Sequence, residues 1–217
     1  MIQSNVVETI PANKHVFVCG TTGTGKSYLT EQYVSGYKYV VKLDTKGETD
    51  ERIEKGESAW TNLREDIDFT ICRNFSELDD IETDKIIYVP DFDEQNEENF
   101  DMFFRWIFER GNTILWIDEL MSVASANRCP RQLHRIYTQG RSKGVGVWAC
   151  SQRPSGIPTI ALANSQYFFV FDLTNPADRK KLVDTTGQIE MKELPTGFNF
   201  WYFKMGDRKT VKAVLID

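Results

Sequence analysis

The chain has 217 residues, 41% of them hydrophobic and 27% charged, and its formal net charge is −6. This size fits one globular domain over residues 1–217, and the apolar runs fall far short of the ~20 residues that a membrane span needs. The N-terminus lacks a secretory-signal pattern, and the four cysteines form no C-x-x-C pair, which argues against common zinc sites. We therefore expect a cytoplasmic protein with reduced cysteines and no transmembrane segment.

Charge is distributed unevenly along the chain. Residues 76–101 carry eleven acids and one base, a net of −10, which leaves +4 for the rest. Residues 127–144 carry five bases and no acid: Arg128, Arg131, Arg135, Arg141 and Lys143. One interpretation is a polyanion-binding surface from which the acidic segment faces away, and the other is a pair of solvated faces.

Short apolar runs alternate with helical patterns, which predicts an α/β fold with a mostly parallel sheet and helices on both faces. Strands are predicted over residues 15–19, 37–43, 69–72, 85–89, 113–117, 145–150 and 167–171. Helices are predicted over residues 27–34, 96–109, 130–139 and 176–184. Residues 46–65 are expected to form an irregular surface excursion, and residues 198–216 a C-terminal β-hairpin.

The first motif lies between the first predicted strand and helix. Residues 20–27 match the phosphate-binding pattern G-x-x-x-x-G-K-[ST], whose backbone N–H groups cradle phosphates. Lys26 would reach the β- and γ-phosphates of ATP, and Ser27 would ligate Mg²⁺. A glycine-rich turn with an incidental lysine is the alternative. The predicted nucleotide-binding residues are Gly20, Thr21, Thr22, Gly23, Thr24, Gly25, Lys26, Ser27 and Tyr28.

A second motif follows the strand predicted over residues 113–117. Asp118 and Glu119 stand directly after this apolar run. Asp118 would hold Mg²⁺ opposite Ser27, and Glu119 would orient or deprotonate the attacking water. A second acid beside the magnesium ligand favours hydrolysis over transfer to a hydroxyl acceptor. The alternative is a strand that merely ends in acids.

The next block combines an arginine, a strand and a polar strand end. Gln152 follows the strand over residues 145–150 and is predicted to sense the γ-phosphate. Arg141 precedes that strand and is the candidate arginine finger, which would act on a neighbouring subunit, with Arg153 as the second choice. An arginine that contacts a phosphate backbone, or that solvates a helix end, is the alternative for Arg141.

Two stretches resemble the FtsK–HerA superfamily of P-loop ATPases. Residues 15–27, which His15 opens, resemble its phosphate loop, and residues 140–154 resemble its motor-domain block ending in Gln-Arg-Pro. Together with residues 114–119, the resemblance spans about residues 14–172, followed by a C-terminal helix and hairpin over 175–217. It implies a RecA-like (ASCE) core, ATP and Mg²⁺ as ligands, assembly into a ring, and translocation of double-stranded DNA.

The length of the chain is similar to that of the small DNA-packaging ATPases of viruses and phages. That likeness implies a genome-packaging motor, a pentameric or hexameric ring, a portal, capsid or membrane-vertex protein as a candidate partner, and a location in the host cytoplasm or the virion. The predicted DNA or intersubunit contacts are Arg128, Arg131, Arg135, Lys143 and Arg153. The alternatives are a cellular or plasmid DNA-pumping or secretion ATPase, a P-loop kinase, and a virion protein that binds ATP without hydrolysing it.

Overall fold

The computed structural model describes residues 9–215, which form one nine-stranded sheet. The first four strands are Val16–Cys19 (β1), Val40–Leu43 (β2), Phe69–Cys72 (β3) and Lys85–Tyr88 (β4). The others are Ile114–Ile117 (β5), Gly146–Ser151 (β6), Tyr167–Val170 (β7), Asn199–Lys204 (β8) and Val211–Val214 (β9). Their spatial order is β3-β4-β2-β5-β6-β1-β7-β8-β9.

The seven strands from β1 to β7 are mutually parallel, and the hairpin of β8 and β9 adds two antiparallel strands at one edge. This confirms the predicted mostly parallel sheet with a C-terminal hairpin. β6 lies between β1 and β5, so the strand after the arginine block separates the phosphate-loop strand from the strand that carries the acids.

Helices cover both faces of the sheet, as predicted. They are Lys26–Val34 (α1), Glu48–Glu54 (α2), Glu97–Arg110 (α3), Leu120–Val123 (α4), Arg131–Gln139 (α5), Thr159–Asn164 (α6) and Pro176–Thr186 (α7). Alternate strand residues point to opposite faces. Phe17 therefore joins the core under α3, α5, α6 and α7, whereas Val18 joins the core under α1.

The expectation of an irregular surface excursion over residues 46–65 was wrong. The segment contains α2, and Trp60 is fully buried, with its ring against Trp116 and its Nε1 donating to Ser35 Oγ at 2.8 Å. Local polarity hid this packing, because one buried tryptophan anchors an otherwise polar stretch. The short helix α6 was also not predicted.

Two expectations extend beyond the described residues. Residues 1–8, where no secretory signal is expected, and residue 216, the predicted end of the hairpin, lie outside them. Within residues 9–215, no helix is long and apolar enough to cross a membrane. Cys19, Cys72 and Cys150 are buried.

Candidate nucleotide site

Most of the predicted site residues meet at the carboxyl ends of the parallel strands. The phosphate loop follows β1, Asp118 and Glu119 follow β5, and Gln152 follows β6. The phosphate loop, Asp118 and Gln152 line a cavity of ≈ 460 Å³. Its lining comprises Thr22, Gly23, Gly25, Lys26, Ser27, Tyr28, Lys46, Glu48, Glu51, Asp118, Gln152 and Phe198.

The phosphate loop is shaped for an anion. Gly23 and Gly25 have φ angles of +79° and +98°, a conformation that other residues rarely adopt. Gly25 leads into α1, whose first turn has no side-chain cap and no acidic residue. The N–H groups at this helix end are therefore available to phosphate oxygens, and the helix dipole favours negative charge there.

Lys26 and Ser27 sit at the start of α1 with defined partners. Lys26 Nζ donates to the carbonyl of Thr21 at 2.8 Å, so the ammonium lies along the loop that it would share with phosphates. Burial lowers the pKa of Lys26 from its ordinary value. Ser27 Oγ donates to Asp118 Oδ1 at 2.9 Å, which joins the two predicted metal ligands.

The oxygens of Ser27 and Asp118 fit Mg²⁺, a hard cation that prefers oxygen ligands. Residues 9–215 contain no cluster of three or more histidine, cysteine or acidic side chains that could hold a metal. A magnesium–nucleotide site does not need one, since phosphate oxygens and water supply most of the coordination. Ser27 and Asp118 would therefore suit a metal that is brought in with the nucleotide.

Glu119 is almost buried, with 5% exposure, and holds two contacts. Its Oε1 accepts the N–H of Met121 at 3.4 Å, and its Oε2 pairs with Lys46 Nζ at 3.1 Å. Sequence reasoning missed Lys46. Its position three residues after β2 could have identified it, because β2 is parallel to β5 and ends on the same side of the sheet as the two acids.

Glu48 lines the cavity together with Asp118 and Glu51, and sequence reasoning missed it too. Burial is the largest cause that raises the pKa of Glu48, to about 7; Asp118 adds to the rise, and Lys42 opposes it. Lys42 is itself 1% exposed, with its ammonium 4.0 Å from Glu48 and 4.6 Å from the Trp116 ring centroid. The buried ammonium of Lys42 and the carboxylate of Glu48 thus lie beside Ser27 and Asp118, the two predicted metal ligands.

Gln152 reaches the phosphate loop directly. Thr22 Oγ1 donates to Gln152 Oε1 at 3.2 Å, so the end of β6 and the loop are linked by a side-chain contact. The following residue, Arg153, is held within its own chain, because its Nε donates to the buried Asp178 of α7 at 2.8 Å. Asp178 also accepts the N–H and hydroxyl of Ser155, which fixes the loop after Gln152.

Two aromatic side chains stand at the mouth of the cavity. Tyr28 is 40% exposed and Phe198 is 53% exposed. Both would offer a stacking surface for a nucleotide base. Phe198 precedes β8, far from the phosphate loop in sequence, and no local pattern identifies it.

Arg141 lies away from this cavity. It is exposed in the 3₁₀ turn Gly140–Lys143, ahead of the amino end of β6, whereas the cavity is at the carboxyl end. Six strand residues separate the two ends, about 20 Å at ~3.3 Å per residue. Arg141 therefore does not reach the nucleotide site of its own subunit.

The interpretation in which the acidic segment faces away from the basic one was wrong for the end of that segment, Glu97 to Asp101. α3 and α5 pack together, and Arg128 pairs with Glu97 at 3.4 Å. The N–H of Gln132 donates to Asp101 at 2.7 Å, and the Arg135 guanidinium stacks 3.9 Å from the Phe108 ring centroid. The apolar face of α3 packs against α5. This packing places the acidic residues of the first turns of α3 beside the basic residues of α5 and the loop before it.

The chain matches no protein-family model and no curated protein by sequence. Its fold is similar to that of the genome-packaging NTPase B204 of Sulfolobus turreted icosahedral virus 2, solved with ATPγS, with a TM-score of 0.76 and 15% identity over 96% of this chain and 100% of that one. B204 of Sulfolobus turreted icosahedral virus, a DNA-packaging ATPase, aligns with a TM-score of 0.74 and 16% identity over the same shares.

The conjugation coupling protein TcpA of pCW3, with ATPγS, is also similar, with a TM-score of 0.56 and 16% identity over 96% of this chain and 62% of that one. At these identities the likeness is one of fold. It confirms the P-loop NTPase fold that the resemblance to the FtsK–HerA superfamily implied, with the central sheet and the C-terminal hairpin.

Proposed function

We propose that this protein is an ATPase that translocates double-stranded DNA, as the genome-packaging motor of a virus or phage. The observation that carries the proposal is a cavity lined by Lys26, Ser27, Asp118 and Gln152, with Glu119 next to Asp118 and paired with Lys46 of the lining. Its support from known proteins is a likeness of fold to packaging NTPases over almost the full length of both chains.

Each of these side chains has a role in hydrolysis. The phosphate loop and Lys26 hold the triphosphate, and Ser27 and Asp118 would hold Mg²⁺, which neutralises charge on the β- and γ-phosphate oxygens when bound. Glu119 accepts the proton of the attacking water, and the proton then leaves with the product. Gln152 contacts Thr22 of the loop, so a change at the γ-phosphate reaches β6 directly.

We assign Arg141 to the nucleotide site of a neighbouring subunit. Its place before the amino end of β6, away from the cavity of its own chain, supports this assignment. An arginine supplied in trans is worth ~10³–10⁵ in phosphoryl transfer. A ring with five or six subunits would present each Arg141 to the next cavity. The isolated subunit would then be nearly inactive.

Among the predicted DNA contacts we favour Arg131 and Lys143, which are exposed. Arg128, Arg135 and Arg153 each contact a partner within the chain, which is Glu97, Phe108 and Asp178, respectively. To contact DNA or a neighbouring subunit, each would have to give up that contact. Contacts to the phosphate backbone suit a motor that moves along any sequence. Replacing both Arg131 and Lys143 by Ala should lower the salt dependence of DNA binding by about two phosphate contacts.

The deciding experiment measures ATP hydrolysis with and without double-stranded DNA, alongside the mass of the assembly. We expect DNA of any sequence to stimulate hydrolysis and the active species to contain several subunits. Hydrolysis by a monomer at a rate that DNA does not change would refute the translocase. Hydrolysis by an assembly that ignores DNA would point instead to a motor acting on protein.

Mixed assemblies test the shared site. Arg141→Ala subunits retain an intact cavity and Lys26→Ala subunits retain an intact finger, so mixing the two inactive variants should restore part of the activity. If the mixed subunits assemble but remain inactive, the proposed role of Arg141 at a neighbouring nucleotide site is refuted.

A further inference from the structure

Lys46 brings a second lysine to the phosphate end of the cavity. Its ammonium lies 3.1 Å from Glu119 Oε2, and its side chain lines the same cavity as Lys26, Ser27 and Gln152. A cation therefore lies against the acid that would activate water. Nothing in the roles described above requires this contact.

The backbone that carries Lys46 is fixed. Asp44 is fully buried after β2, and its carboxylate accepts backbone N–H groups from four successive residues at 2.7–3.3 Å. These residues are Lys46, Gly47, Glu48 and Thr49. The contacts cap the start of α2. With its backbone held, Lys46 has only its four-carbon side chain to move, and that side chain is 38% exposed.

The electrostatics of the cavity keep Lys46 charged. Burial opposes the charge, but Glu119 and Asp118 outweigh it and hold the pKa of Lys46 above its ordinary value. The charge of Lys46 also contributes to the lowered pKa of Lys26, after burial, so the two ammonium groups act on the same region. A phosphate between them would relieve this repulsion.

We propose that Lys46 exchanges partners with the nucleotide state: it pairs with Glu119 when no γ-phosphate is present and with the γ-phosphate when ATP is bound. The proposal rests on the proposed ATPase function and assigns it a positioning residue. ATP binding would release Glu119 from its ion pair and leave its carboxylate free to take a proton from water. After phosphate leaves, Lys46 would return to Glu119.

The exchange predicts that Lys46 distinguishes triphosphate from diphosphate. Equilibrium binding of ATPγS and ADP is measured by displacement of a fluorescent nucleotide from the full chain. We expect Lys46→Met to weaken ATPγS by ~10- to 100-fold, the range of one charge-assisted hydrogen bond, and to change ADP by less than about twofold. Lys46→Arg should restore most of the difference.

Lys38→Met is the matched control. Lys38 lies before β2, outside the cavity lining, and pairs with Asp84 at 3.9 Å with both side chains exposed, so neither nucleotide should be affected. Thermal unfolding of each variant checks the fold, and Lys46→Gln replaces Lys46→Met if that protein does not fold. Equal losses for both nucleotides would show that Lys46 only supports the loop, and unchanged binding of both would show an incidental ion pair; either result overturns the exchange.

A double-variant cycle separates the exchange from simple phosphate attraction. Glu119→Gln removes the competing partner, so it should tighten ATPγS binding when Lys46 is present and have no such effect in the Lys46→Met background. Equal effects in both backgrounds would overturn the exchange. A wild-type chain that binds neither nucleotide would overturn the proposed function as well, whereas normal discrimination without DNA stimulation would refute only the translocase.

Discussion

His15 should make the stability of this protein depend on pH below neutrality. It is fully buried at the start of β1, with its ring 5.3 Å from that of Tyr137. Its Nδ1 accepts the N–H of Val147 at 3.1 Å, a bond that the imidazolium cannot accept. Burial, followed by the nearby charge of Arg141, lowers the pKa of His15 from 6.5 to about 4.

The sign follows from proton uptake. Between about pH 6.5 and pH 4 the unfolded chain binds a proton at His15 and the folded chain does not, so this stabilisation is complete above pH 6.5 and is lost as the pH falls. The full shift corresponds to about 3.5 kcal/mol at ~1.4 kcal/mol per pKa unit. Between pH 7.5 and pH 4.5 the loss should be about 2.5 kcal/mol.

The assay is urea unfolding of wild type and His15→Asn at both pH values. Asparagine keeps an acceptor near Nδ1 but does not titrate, so the variant should lose about 2.5 kcal/mol less than wild type on acidification. The packing lost with the imidazole is independent of pH and cancels in this difference. His134→Asn is the control, because His134 is exposed. Equal pH dependence in wild type and His15→Asn would refute the reasoning.

Three further results are expected. Glu119→Gln should retain ATP binding but slow single-turnover hydrolysis by ~10²- to 10⁴-fold, and near-normal turnover would contradict its role as the base. Asp178→Ala should lower the free energy of unfolding in urea by ~3 kcal/mol, because the loop after Gln152 loses its buried anchor; Asp184→Ala, exposed on the same helix, should change it by less than about 0.5 kcal/mol. Gly25→Ala should abolish nucleotide binding, since its φ is +98° and the new Cβ would lie 2.5 Å from Leu215 Cδ1; normal binding in a displacement assay would contradict this.

The order of strands and helices, and the strands that carry the two main motifs, were predictable from the local spacing of apolar residues. The apolar run before Gly20 and the one before Asp118 are buried strands, and the stripe on α3 faces the core. Parallel strands share their carboxyl ends, so local pattern predicts that the phosphate loop and the two acids lie at the same end of the sheet. Their closeness also required that only β6 separate β1 from β5. The hydrogen bond between Ser27 and Asp118 confirms that proximity.

The remaining residues of the cavity were not predictable in this way. Lys46 and Glu48 come from a polar segment that shows no clear period, and they reach the acids because β2 lies beside β5. Phe198 lies at the cavity because it directly precedes β8, which pairs with β7 although α7 separates the two strands in sequence. Such meetings depend on strand order, which composition does not encode.

By itself, the sequence determined the phosphate loop, the acids after β5 and the alternation that builds a parallel sheet, because each is written in short-range spacing. Only the tertiary structure decided which charges meet. It paired Lys46 with Glu119, bound Arg153 to Asp178, brought Arg128 beside Glu97, and put Arg141 at the edge away from the cavity. The physical reason is that charge pairing acts over a few ångströms in space, and the packing of the sheet sets those distances between residues that are far apart in the chain.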